Sequence, residues 1–148
     1  MAAIQHNSRL NEFVVAIGHS LLQYADECWP WVNTTDADAH VVIHRLAALQ
    51  RQEVATLVEL LMQRERIIDF GTFPTDYTDL QFLSLDYLLA RIIAGEQILV
   101  ADLDEAVHAC VDDAAAADVL RELLTTQRKI LERLESLAKS RVAGAAVN

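Results

Sequence analysis

Leu46-Ala47-Ala48-Leu49-Gln50-Arg51-Gln52-Glu53-Val54-Ala55-Thr56-Leu57-Val58-Glu59-Leu60-Leu61 is the stretch that decides the fold. Leu46, Leu49, Leu57, Leu60 and Leu61 recur at helical intervals, and no glycine or proline interrupts them. A stripe of that period on an otherwise polar surface is an amphipathic helix with one buried face. Extended by Val42 upstream, the pattern predicts a helix over about residues 36–66, roughly 45 Å long at 1.5 Å per residue. Asp36 and Asp38 would lie favourably near its positive end.

Three further segments repeat the pattern. Leu10, Phe13, Val14, Ile17, Leu21, Leu22 and Cys28 mark a helix over 8–28, which Trp29-Pro30-Trp31 ends because proline disfavours helical backbone in the residue before it. Asn33-Thr34-Thr35-Asp36 offers capping oxygens for the next helix. Residues 67–77 carry turn formers and aromatics without helical period and read as an ordered connection. Thr78-Asp79-Leu80-Gln81 matches a capping box, so the third helix is expected over 79–111, with Leu85, Leu88, Ile92, Leu99, Leu103 and Cys110 on its stripe. After Asp112-Asp113 a fourth, over 114–140, carries Val119, Leu120, Leu123, Leu124, Ile130, Leu131, Leu134 and Leu137 and gives way to a flexible tail. The expectation is a single all-α domain over 1–148, a four-helix bundle of two helical hairpins. The middle connection reaches at most roughly 36 Å when extended. That favours a crossover leaving the second and third helices parallel, with a compact loop and a plain up-down bundle as the other arrangement.

At 148 residues, with 53% hydrophobic residues and only four Gly and two Pro, the chain has enough apolar material for one core. Its net charge of −10, with Lys and Arg scattered, excludes nucleic acid and anionic membrane surfaces as partners. No run approaches the roughly 18 apolar residues of a membrane span, and no signal sequence opens the chain, so a cytoplasmic location is expected. Cys28 and Cys110 lie on apolar positions without a CxxC partner and read as buried reduced thiols.

The anomaly is that three stripes each carry one polar residue near mid-helix: Glu53, Glu96 and Gln127. Glu96 lies about sixteen residues before the Asp112 turn and Gln127 about fourteen after it, so they should face each other at similar height; Glu53 sits about seventeen residues into its own helix. A buried carboxylate is costly unless it binds a metal, meets a cation or takes a proton.

The helix lengths, the hairpin-connection-hairpin order and the segment from Leu46 to Leu61 together resemble the ferritin-like, rubrerythrin-like superfamily over about residues 8–140. The resemblance implies a ferritin-like four-helix bundle. It also implies a dinuclear metal site with one Glu on each of helices one and three and a Glu-x-x-His pair on each of helices two and four. Laid onto this chain, Glu96 fits the third helix. The pairs fall on Gln50 and Glu53, and on Gln127 and Ile130, while helix one offers Ile17, Gly18, Ser20 and Leu21 at that height. Both histidines and two glutamates are missing, and two carboxylates without an imidazole do not satisfy two irons. The reading is a scaffold whose dinuclear site is lost, with Arg91 neutralising Glu53 or Glu96 and with no cofactor. The competing reading is a remodelled iron, manganese or zinc site formed by Glu53, Glu96, Gln50 and Gln127.

His40 and His44, four residues apart, share a helix face near Asp26 and Glu27. They read as solvated surface histidines, and otherwise as a transition-metal site of His40, His44 and Glu27. His6 is expected to be disordered, and His19 lies off the stripe. Tyr24 and Tyr87 are expected in the core. Trp29, Trp31, Phe70, Phe73, Pro74 and Tyr77 cap the core ends or form a partner surface. The function expected is a non-enzymatic structural or protein-interaction module, self-associating as a homodimer or binding another protein. The alternatives are a metal-binding oxidoreductase or storage protein, and a bundle enclosing a small ligand around Gly18 and Gly95.

Overall fold

The computed structural model describes residues 2–28, 36–80 and 84–147. Among these the chain is all-helical: α1 (Ala2–Gly18), α2 (Leu21–Glu27), α3 (Ala37–Gln63), α4 (Leu85–Ala109) and α5 (Ala114–Val147), with a 3-10 helix at Thr75–Leu80 before α4. No helix among the described residues is long and apolar enough to cross a membrane.

Helix directions follow from which residues share a core. Leu10, Phe13 and Ile17 of α1 pack with Leu57 and Leu61 of α3, Leu99 and Leu103 of α4, and Leu120 and Leu123 of α5. A second core joins Leu21 and Leu22 of α2 to Ile43 and Leu46 of α3, Leu88 and Ile92 of α4, and Ile130 and Leu134 of α5. α3 and α4 therefore both run from the second core to the first, while α1–α2 and α5 run the opposite way. The connection between α3 and α4 returns the length of the molecule, as a crossover requires.

That connection is fastened to α1. The Asn11 side chain donates to the Asp69 carbonyl and accepts from the Asp69 amide, both at 3.0 Å. Gly71 takes a φ of +68°, and a Cβ there would stand 2.6 Å from Val15 Cγ1, so both conformation and space demand glycine. Phe73 then packs edge-on to His19 and Tyr24, and Tyr77 against Tyr24.

Two ion-pair clamps tie the ends. Arg64 donates to both carboxylate oxygens of Asp113, at 2.9 and 2.7 Å, and to Asn7 at 2.8 Å. Arg141 bridges Asp36 at 2.8 Å and Asp86 at 2.6 Å. The partly buried, bidentate Arg64–Asp113 pair fixes geometry better than exposed single contacts do.

The elements depart from the sequence expectations in five ways. The first helix breaks at Gly18-His19-Ser20; Ser20 adopts extended backbone and its hydroxyl accepts from the Gln23 amide, restarting the helix as α2. The capping box at Thr78–Gln81 does not start α4. The Thr78 hydroxyl instead donates to the Thr75 carbonyl within the 3-10 helix, and Ser84 caps α4 through the Tyr87 amide. The 36–66 helix stops at Gln63, before Glu65 at φ +56°. α5 continues to Val147, past the end expected at 140. His6 lies within α1, bonded to Asp112. Trp29, Trp31 and the expected Asn33–Thr35 caps fall outside the described residues.

Candidate functional site

A polar layer separates the two cores. On α3 it falls at Gln50, between Ala47 and Leu57; on α4 at Glu96, between Ile92 and Leu99; on α5 at Gln127, between Leu124 and Ile130. Each is 2% exposed or less. The α1–α2 break delivers a fourth member, Gln23, also buried.

Gln50 is the hub. Its amide nitrogen donates to Glu96 Oε1 at 2.6 Å and to Gln127 Oε1 at 2.9 Å. Its oxygen accepts from Ser20 Oγ and from Gln23 Nε2, both at 3.0 Å. All four hydrogen-bonding positions of the amide are thereby used. Gln23 Nε2 also donates to the Ala47 carbonyl at 2.8 Å, and its oxygen accepts from Arg51 at 3.0 Å. Arg51 reaches on to Asp26 at 3.1 Å, whose other oxygen meets His44 Nδ1 at 2.8 Å. The network runs from the exposed His44 to the centre of the molecule.

Two atoms in this layer lack partners, Glu96 Oε2 and Gln127 Nε2. Burial pushes the Glu96 carboxyl up to about 7, and the Gln50 hydrogen bond opposes this only in part. No charged neighbour contributes to its balance, so Arg91 does not neutralise it; that guanidinium lies exposed, over the Tyr87 ring. Tyr87 is itself half exposed rather than in the core.

The residues present do not fit a dinuclear metal centre. Gln50, Glu96 and Gln127 come together, but Glu53 does not join them: it turns toward α5 and accepts from Thr126 Oγ1 at 3.0 Å. Burial raises the Glu53 carboxyl as well, and its Oε2 is unpartnered. One carboxylate and two amides remain, and the Gln50 N–H donor sits between the two oxygens that a cation would have to bridge. Among the described residues no three His, Cys, Asp or Glu side chains gather in a metal-holding group. The second expected site fares similarly. The rings of His40 and His44 lie 6.5 Å apart, His44 pairs with Asp26, and Glu27 is exposed.

Sequence reasoning missed Gln23 altogether, and named Ser20 and Asp26 without placing them in this network. The signal was Ser20-Leu21-Leu22-Gln23, the same capping-box spacing that was read at Thr78–Gln81. It also missed a thiol–imidazole–carboxylate row: Cys110 Sγ lies 3.4 Å from His6 Nδ1, and His6 Nε2 lies 2.8 Å from Asp112. That order resembles an activated nucleophile, yet Cys110 is fully buried, and burial together with Asp113 and Asp112 raises its thiol above the ordinary value. A neutral, enclosed thiol is not a nucleophile. Cys28 is half-buried and free.

Comparison with protein-family models, with curated proteins and with solved structures finds no match for this chain.

Proposed function

We propose that this chain is a ferritin-like four-helix bundle acting as a non-enzymatic structural or protein-interaction module, its midplane filled by an amide network where related scaffolds hold metal. Parallel α3 and α4 with antiparallel partners support the ferritin-like reading. The observation that carries the rest is Gln50, whose amide is saturated by Glu96, Gln127, Ser20 and Gln23. Such a network fixes helix register, because a shift of any one helix would strand several buried polar atoms. Self-association would use exposed apolar side chains such as Ile67 and Phe70 on the crossover. Phe73 and Tyr77 from the same segment are given over to the core.

The competing metal reading draws on the two partnerless carboxylate oxygens of Glu53 and Glu96. Elemental analysis of protein purified without chelator separates the two, alongside Glu53→Ala and Glu96→Ala. The proposal expects no stoichiometric iron, manganese or zinc, and light scattering at a dimer mass that Ile67→Ser with Phe70→Ser shifts to monomer. Near-stoichiometric metal lost in both carboxylate variants would overturn it.

A further inference from the structure

A cleft of about 460 Å³ opens between the α1–α2 break and α4, the side of the molecule where helices meet least closely. Its walls are mainly apolar, with Leu22, Ile92 and Leu99 among them, and Glu96 belongs both to the wall and to the midplane network. Small residues keep it open: Ala16 on one side, Ala94 and Gly95 on the other. A Cβ at Gly95 would meet nothing within 4 Å. The volume lies within the range of small-molecule sites, which pair apolar walls with a few fixed polar groups.

The polar group here is a carboxylate with half its capacity unused. Glu96 is 2% exposed, Gln50 takes one oxygen, and Oε2 is buried without a partner just behind the wall, so a ligand would meet it once the side chain turns toward the cleft. An ionised carboxylate so enclosed is stabilised by a cation that brings its own apolar body, displacing water from the walls while pairing the charge. Four titratable or charged side chains line the cleft: Tyr77 from the 3-10 helix, and Arg91, Glu96 and Asp102 from α4. The flanking α1 and α2 contribute Ala16, Ser20, Leu21 and Leu22, and α3 meets Glu96 with the neutral Gln50 amide. Arg91 lines the same cleft but is engaged at Tyr87 and contributes nothing to the balance of Glu96, which has no cation of its own. The net charge of −10 favours approach of cations from solution.

We infer that this cleft binds a small organic cation, a primary ammonium on an apolar tail, with the ammonium paired to Glu96 and the tail against Leu22, Ile92 and Leu99. The inference goes beyond the interaction role proposed above and does not depend on it. Because ammonium binds the ionised carboxylate, affinity rises with pH up to about 7 and levels off above it.

The test is calorimetric titration of the full chain at pH 8 with phenethylamine and hexylamine, and with 2-phenylethanol and 1-hexanol as neutral counterparts. Expected is saturable one-to-one binding of an amine at least tenfold tighter than its alcohol. Glu96→Gln should remove that preference. Gly95→Leu should fill the cleft and abolish binding while the protein stays folded, its melting temperature held or raised by the better helix former. Absence of amine binding, equal affinity for amine and alcohol, or unchanged binding by Gly95→Leu would each overturn the assignment.

Discussion

Raising the pH from 5 to 8 should destabilise this protein, and replacing Glu96 by Gln should remove most of that sensitivity. The folded carboxyl titrates near 7, against an ordinary value of 4.5 that applies once the chain unfolds. Between those values the folded state holds a proton that the unfolded state has released, so stability falls as pH rises and levels off above about 7. At about 1.4 kcal/mol per pH unit, the interval corresponds to about 3 kcal/mol. That is a large share of the 5–15 kcal/mol typical of a domain. Urea denaturation followed by helical circular dichroism at half-unit pH steps gives the curve for each protein. The variant keeps an oxygen to accept from Gln50 and carries no charge, so its curve should be flatter and should lie above the wild type at pH 8. Parallel curves across this range would show that Glu96 is not held in the low-dielectric environment described, and the reasoning would fail.

Other perturbations report on other parts of the molecule. Gln50→Leu strands acceptors on Glu96 and Gln127 and donors on Ser20 and Gln23; a loss of about 3–5 kcal/mol is expected in denaturant titrations at pH 7. Gly71→Ala forces a side chain into positive φ and against Val15, and should cost about 1–3 kcal/mol, with the connection becoming more open to proteolysis. Arg64→Met removes the clamp on Asp113 and should cost about 1.5–3 kcal/mol at neutral pH. Arg64 holds the Asp113 carboxyl below its ordinary 3.8, so the wild type's advantage should be complete at neutral pH and shrink as pH falls below about 4, read by acid titration of the two proteins side by side.

The helical class was legible because the apolar stripes are long and unbroken; the reach of the middle connection allowed a crossover but left an up-down bundle open, and only the two shared cores decide between them. Gln50, Glu96 and Gln127 were legible as polar residues at mid-height. Glu53 was misplaced, because Gln50 and Glu53 lie three apart and a helical wheel puts them on nearly the same face. Between Gln50 and Leu57 the buried line steps seven residues, leaving Glu53 at the edge of the contact with α5, where Thr126 reaches it. Similarly, spacing could not tell which capping box operates. Ser20 caps a helix because the chain bends there, and its partner Gln23 spends its side chain on Ala47 and Gln50 instead of completing the box. Asp26 and Glu27 looked alike at the end of the first helix, and only the packing of α2 on α3 selects Asp26 as the partner of His44. A ligand space was expected around Gly18 and Gly95; only Gly95 lines the cleft, since the gap at the α1–α2 break depends on how separate elements pack.

The central claim, that a hydrogen-bonded amide rather than a metal ion holds the midplane, is tested most directly by the side-chain amide resonances of Gln50 and Gln127. Proton–nitrogen spectra would be recorded with and without one equivalent of manganese(II). The account predicts that the Gln50 amide protons exchange slowly and keep their intensity when manganese is added. Selective loss of the Gln50 and Gln127 signals through paramagnetic broadening, with distant amides unchanged, would place the ion between them and contradict it.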